Sequence, residues 1–101
     1  MTTYKNISID DAKQLMAEKG VILADIRDAG SYEASHIKGA IHLTNDNIQD
    51  FIRDEDLDTP LIVYCYHGHS SQPAAQFLYQ QGFEEVYSLI GGYTAWASET
   101  Q

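Results

Sequence analysis

A chain of 101 residues with six Lys and Arg against fifteen Asp and Glu carries a net charge of −9, which excludes nucleic acid and anionic membrane as electrostatic partners. The length leaves room for one hydrophobic core and no second, so residues 1–101 are expected to form a single domain. At 44% hydrophobic and 21% charged residues, the composition is that of a globular protein and not of a disordered one.

Strand and helix signals alternate along the whole chain. Tyr4 to Ile7 is a short β-prone start. Ser8 is placed to cap a helix, with Asp10 and Asp11 in its first turn, Ala12, Leu15 and Met16 on its inner face, and Gly20 at its end. The apolar run Val21-Ile22-Leu23-Ala24 suits a strand covered on both faces. A short helical turn is expected over Ser31 to His36, and a brief strand over Ala40 to Leu43. Thr44 or Asn45 can cap a helix running through Ile48, Phe51 and Ile52. An acidic loop, Asp54 to Thr59, leads through Pro60 into a strand at Leu61 to Tyr64.

Gln72 to Gln81 reads as a helix with Ala74, Ala75, Phe77 and Leu78 turned inward and Gly82 as its stop. Val86 to Leu89 is a last strand. Gly91-Gly92 precedes a final helix bearing Ala95 and Trp96. This alternation predicts an α/β fold whose sheet is parallel or largely so, with helices on both faces. Ligands in such sheets bind beyond the carboxyl ends of the strands, where Cys65 falls.

Cys65 is the only cysteine, so it has no disulfide partner within the chain and fits a reducing compartment. The start Met1-Thr2-Thr3-Tyr4-Lys5-Asn6 lacks the basic start and long apolar stretch of a signal peptide, and no apolar run approaches a membrane span. A cytoplasmic location is expected.

The loop Tyr66-His67-Gly68-His69-Ser70-Ser71 follows the thiol directly. It has no Pro, so each residue offers a backbone N–H, and Gly68 lets it bend with positive φ. Successive amides around a tight loop form an anion-binding nest. Ser70 and Ser71 add hydroxyls, either of which can cap the next helix, and Pro73 falls in that helix's first turn. Amides and a helix N-terminus favour thiolate over thiol, and a thiolate is a nucleophile. The competing reading is a buried, inert cysteine. Tyr, His, Gly, His, Ser and Ser are a poor continuation of a core, which favours the reactive reading.

No metal and no cofactor is expected. Cys65, His67 and His69 do not match a zinc spacing, and one thiolate is few for a structural site. The two imidazoles are placed at the loop rim, and His36 and His42 are read as structural. Arg27, between acids, is expected to form a structural ion pair, and Trp96 and the tyrosines to be core or edge residues.

These residues resemble the rhodanese family of thiosulfate sulfurtransferases along nearly the whole chain. Asp25-Ile26-Arg27-Asp28 is similar to the motif after the family's second strand, and His36-Ile37-Lys38-Gly39-Ala40-Ile41 to its His-hydrophobic-x-Gly-Ala element. Cys65 to Ser71 is similar to the active-site loop. Gly82-Phe83, Val86-Tyr87, Gly91-Gly92 and Trp96 are similar to the C-terminal signature. Their shared order and spacing carry more weight than any one motif.

The resemblance implies a rhodanese-like fold with a central five-stranded parallel sheet flanked by helices. It also implies that Cys65 takes a sulfane sulfur from a donor such as thiosulfate, releases sulfite, and passes the sulfur from a persulfide to cyanide or a thiol. The binding donors would be the amides and hydroxyls of Tyr66, His67, Gly68, His69, Ser70 and Ser71. The implied partners are a small-molecule sulfur donor and a cyanide or thiol acceptor, with a thioredoxin-like protein among the acceptors. Many thiosulfate-using members carry basic residues in or just after this loop, where this chain has Gln72 and Pro73, so weak thiosulfate binding is expected.

Two other functions compete. A related cysteine phosphatase would place Arg six positions after the cysteine, and Ser71 stands there, so phosphoryl charge has no guanidinium partner. A persulfide carrier or regulatory module, loaded by a partner protein, would need no loop cation at all.

Overall fold

The computed structural model describes residues 3–100; Met1, Thr2 and Gln101, at the ends of the expected domain, lie outside the described residues. Strands β1 (Lys5–Ile7), β2 (Ile22–Asp25), β3 (Ile41–His42), β4 (Leu61–Tyr64) and β5 (Val86–Leu89) alternate with helices α1 (Ile9–Glu18), α2 (Ala29–Ala34), α3 (Ile48–Asp54), α4 (Ser71–Gln80) and α5 (Gly92–Thr100). The strands form one sheet in the order β1-β5-β4-β2-β3, and every neighbouring pair is parallel. The expected α/β architecture and parallel sheet are therefore present.

Side chains of a strand alternate between faces, and this divides the core in two. Ile62 and Tyr64 of β4, with Leu23 of β2 and Leu89 of β5, face Ile9 and Ala12 of α1. Leu15, Met16, Ala95, Trp96 and Tyr32 pack around that cluster, so α1, α5 and α2 cover one face. Leu61 and Val63, with Ala24 and Val86, face Phe51 of α3 and Ala75 and Leu78 of α4 on the other. The four residues of β4 are fully buried, which is why it reads as a continuous apolar run with no alternation. Each such side chain contributes about 1.5–3 kcal/mol by leaving water.

Element ends moved by a residue or two from the sequence expectations, for local reasons. Ser8 does cap α1, accepting the Asp11 N–H at 3.1 Å. Gly20 is not its terminator: the helix stops at Glu18, Lys19 turns to extended backbone, and Gly20 does not adopt positive φ. The helix expected over Ser31 to His36 begins earlier, at Ala29, because the Asp28 carboxylate accepts the Ser31 N–H. Before α3, Thr44 Oγ1 accepts the amides of Asp46 and Asn47 and organises the preceding turn; the cap position is Asn47, and not Thr44 or Asn45.

Phe77 is not inward. It is 38% exposed, because the inner line of α4 runs through Ser71, Ala75 and Leu78, and Phe77 lies about 100° around the helix from Leu78. Gly82, at φ 117°, follows the end of α4 as expected.

The register puts Asp25 of β2 beside Tyr64 of β4. The segments Ile26–Asp28 and Cys65–Ser70 therefore leave the sheet at the same end. The helices that follow them diverge: α2 goes to the α1 and α5 face, and α4 to the opposite one. Neighbouring strands whose connections part in this way open a crevice at their carboxyl ends.

Candidate active site

Cys65 is the first residue beyond β4 and sits at the floor of that crevice, buried at 6% exposure. Its sulfur is not packed against hydrocarbon alone. The N–H groups of Gly68 and Ser71 both close on Sγ at 3.2 Å, and the Ser71 hydroxyl oxygen lies 3.4 Å away. Ser71 Oγ is in turn 2.7 Å from Ser88 Oγ, and both serines are buried. A hydroxyl has one proton, so with Cys65 ionised Ser71 donates to sulfur and accepts from Ser88.

Burial opposes ionisation of Cys65. The hydrogen bond from the Ser71 side chain, then those from the amides of Ser71, Gly68 and His67, outweigh it, and the thiol is held below its ordinary range. These donors are fixed before any ligand arrives, and no Lys or Arg belongs to the loop.

The loop is shaped from behind by α5. The amide of Tyr93 donates to the Cys65 carbonyl at 2.7 Å and that of Thr94 to the Tyr66 carbonyl at 3.0 Å. In a trans peptide the N–H opposes the C=O, so pinning these carbonyls to α5 turns the N–H groups of Tyr66 and His67 the other way, into the loop. Such an approach admits no side chain at Gly92: a Cβ there would stand 2.5 Å from both carbonyl oxygens. Likewise a Cβ on Gly68, at φ 91°, would meet the Gly91 nitrogen at 2.8 Å. On the far side, Gln72 Nε2 donates to the Gly68 carbonyl at 2.8 Å.

Ile26, Arg27 and Asp28 form the opposite wall of a cavity of about 340 Å³ that contains Cys65, Tyr66, His67, His69 and Ser70. Arg27 makes the expected ion pair, with Nη2 2.7 Å from the Asp25 carboxylate, and it is buried. It is also a wall of the cysteine cavity, which the sequence reading did not assign to it. Its Cζ lies 4.2 Å from the centroid of Tyr93 and 5.3 Å from that of Tyr66.

The loop residues expected to form the site are brought together, but not equally. Gly68 and Ser71 contact the sulfur through their amides. Tyr66, His67, His69 and Ser70 are exposed along the rim, where Tyr66 also bonds the Ser31 hydroxyl of α2. Neither serine caps α4 with its side chain: Ser70 holds the cap position without a cap bond, and the Ser71 hydroxyl is used on Cys65 and Ser88. His36 and His42 bond the carbonyls of Tyr32 and Arg27 and stack on the Tyr32 ring, in structural roles as expected.

Ser88, Gln72, Tyr93 and the approach at Gly92 were missed as site features. Ser88 and Tyr93 lie on other elements, Gln72 follows the loop directly in α4, and only the Gly91-Gly92 pair left a visible signal. Among the described residues no group of three or more His, Cys, Asp and Glu could hold a metal ion, and no helix is long and apolar enough to cross a membrane.

Comparison with known proteins agrees with this geometry. A family model described as Rhodanese-like domain matches residues 8–99. The chain is 49% identical over 96 residues to Thiosulfate sulfurtransferase GlpE of Shewanella oneidensis, covering 95% of each protein. It is 50% identical to the protein of the same name from Pseudoalteromonas translucida, covering 92% of this chain and 89% of that one. The crystal structure of a rhodanese-related protein from Thermoplasma volcanium superposes with a TM-score of 0.80 at 24% identity, over 96% of this chain and 94% of that chain. A parallel five-stranded sheet, a cysteine loop at its carboxyl edge and these matches along nearly all of the sequence have one meaning: the chain belongs to the rhodanese-like family.

Proposed function

We propose that the protein is a thiosulfate sulfurtransferase that works through a persulfide on Cys65. The observation that carries the reading is the sulfur itself, at the floor of an open cavity with two amides and a hydroxyl already in place. Two relatives near 50% identity that bear the name thiosulfate sulfurtransferase support the choice of reaction.

The reaction runs as two displacements. The Cys65 thiolate attacks the outer sulfur of thiosulfate; the new S–S bond forms as the old one breaks, and the bonding pair leaves on sulfite. Cys65 now carries a terminal sulfur with one negative charge. Cyanide or a thiolate then attacks that sulfur, and the thiolate of Cys65 is the leaving group. The negative charge stays within the loop throughout, so the amides that favour the thiolate also favour the persulfide and need not move between steps. Ser71, supplied by Ser88, holds the inner sulfur as nucleophile and again as leaving group.

The test is intact mass after incubation with thiosulfate, which should show one added sulfur that is absent in Cys65→Ser. A Cys65→Ser protein that forms thiocyanate at the wild-type rate would sink the proposal. The rim supports a second arm in which the acceptor is a protein thiol. Tyr66 is 43% exposed on the loop that lines the cavity, an aromatic border suited to a thioredoxin-like partner or to a partner that loads Cys65. Faster loading by a cysteine desulfurase than by thiosulfate would make the protein a carrier in the cell. A lone cysteine that must remain reduced suits the cytoplasm.

A further inference from the structure

Asp25 does not exhaust Arg27. The Arg27 backbone N–H and Nε donate to the Asp25 carboxylate, and Nη2 donates both to it and to the Ser35 carbonyl at 2.6 Å. Among the described residues no acceptor takes Nη1. Nor is Nη1 sealed away: no buried side-chain nitrogen or oxygen among the described residues lacks a partner. Nη1 therefore keeps an opening to solvent, although the side chain is only 3% exposed.

Two cavities border Arg27, and the direction of its groups separates them. The backbone carbonyl faces His42, which lines the cavity without the cysteine. The guanidinium lies against Tyr66 and Tyr93, and Tyr66 lines the cavity with Cys65. Among the described residues Arg27 is the only Lys or Arg bordering that cavity, in a protein of net charge −9.

Thiosulfate has two ends. The loop amides and Ser71 serve the sulfur, and the sulfonate end needs a donor of its own. We infer that the open Nη1–H of Arg27 is that donor: it holds a sulfonate oxygen of the incoming substrate and stabilises sulfite as the S–S bond breaks, which makes Arg27 the residue that selects sulfonate-bearing sulfur donors. Asp25 neutralises the guanidinium, so Arg27 acts by a directed hydrogen bond and not by net charge. Affinity for thiosulfate stays modest, and the gain falls on the step that expels sulfite. The inference rests on the thiosulfate reading above.

The experiment compares loading of Cys65 by two donors in single turnover, followed by intact mass. Thiosulfate expels sulfite; an alkyl hydropersulfide expels a thiolate with no oxygen to hold. Arg27→Lys keeps a cation beside Asp25 and removes the fork. The ratio of the thiosulfate rate to the hydropersulfide rate should fall about tenfold or more in this variant. An unchanged ratio overturns the inference while leaving the sulfurtransferase reading intact. Wild-type protein that accepts sulfur from the hydropersulfide and none from thiosulfate overturns both. If Arg27→Lys does not fold, wild-type protein is titrated with sulfite and the guanidinium N–H resonances of Arg27 are followed by NMR. A saturable shift at Nη1 is expected, and a response confined to the loop amides overturns the inference.

Discussion

The reactivity proposed for Cys65 comes down to a few hydrogen bonds on its sulfur. Ser71 is the most informative, because its amide and hydroxyl both reach Sγ and its oxygen also meets Ser88. Ser71→Ala should raise the midpoint pH of Cys65 alkylation by iodoacetamide toward the ordinary value of about 8.5. It should also destabilise the fold by about 1–3 kcal/mol, since it strands the buried Ser88 hydroxyl. Pairing it with Ser88→Ala should recover part of that loss in chemical denaturation while leaving the alkylation midpoint raised. Loss of both effects together would mean that the serines do not act as a relay.

The lowered Cys65 pKa has a second consequence, at the same scale. The folded protein gives up this proton more readily than the unfolded chain, so between the two pKa values the unfolded state binds more protons and stability rises with pH. The contribution is complete above the unfolded value of about 8.5 and is lost as pH falls through the folded value. Denaturation of wild type and Cys65→Ser across pH should show a difference that grows in favour of wild type up to about pH 8.5 and then levels. A difference independent of pH would contradict the assigned shift.

Among the elements, β4, α4 and α5 meet at the cysteine, and α5 does more than cover the sheet. Its first amides hold the loop carbonyls, and this needs Gly92 bare at φ 59°, because a Cβ there would stand 2.5 Å from two of those carbonyl oxygens. Gly92→Ala should cost about 1–3 kcal/mol of stability from backbone strain and contact. More tellingly, it should slow Cys65 alkylation at neutral pH, because the carbonyls it displaces orient the Tyr66 and His67 amides. Hydrogen exchange at those amides would locate the change, and normal alkylation kinetics would show that the loop holds its shape without α5.

For the molecule as a whole, the charge of −9 opposes the arrival of any dianion, and the proposed site offers local dipoles and one buried guanidinium against it. Loading of Cys65 by thiosulfate at limiting substrate should therefore speed up as salt rises from about 10 mM to about 150 mM, where screening shortens to roughly 8 Å. A rate that falls with salt would mean that a positive local field, and not the whole charge, governs approach. The same placement at the edge of the sheet explains why the crevice contains both the cysteine loop and the turn after β2: their following helices go to opposite faces.

Periodicity and punctuation in the sequence were enough to determine five strands, five helices and the cysteine loop. Local chemistry suffices for each: a fully apolar run at Leu61–Tyr64, a Ser8 cap, a Pro73 in a first turn, a polar sequence after a lone thiol. Element ends and the outward turn of Phe77 were not legible, because caps such as Asp28 and the angle of a helix on its sheet are settled by neighbours. The same holds for the second half of the site. Arg27 reads as a local ion pair, and it is one; only the pairing of β2 beside β4 carries it from Asp25 to the wall of the cavity around Cys65. Ser88 reaches Ser71, and Gly92 the carbonyls of Cys65 and Tyr66, in the same way, since contacts between distant segments depend on strand order, and strand order is a property of the folded sheet and not of any one stretch of chain.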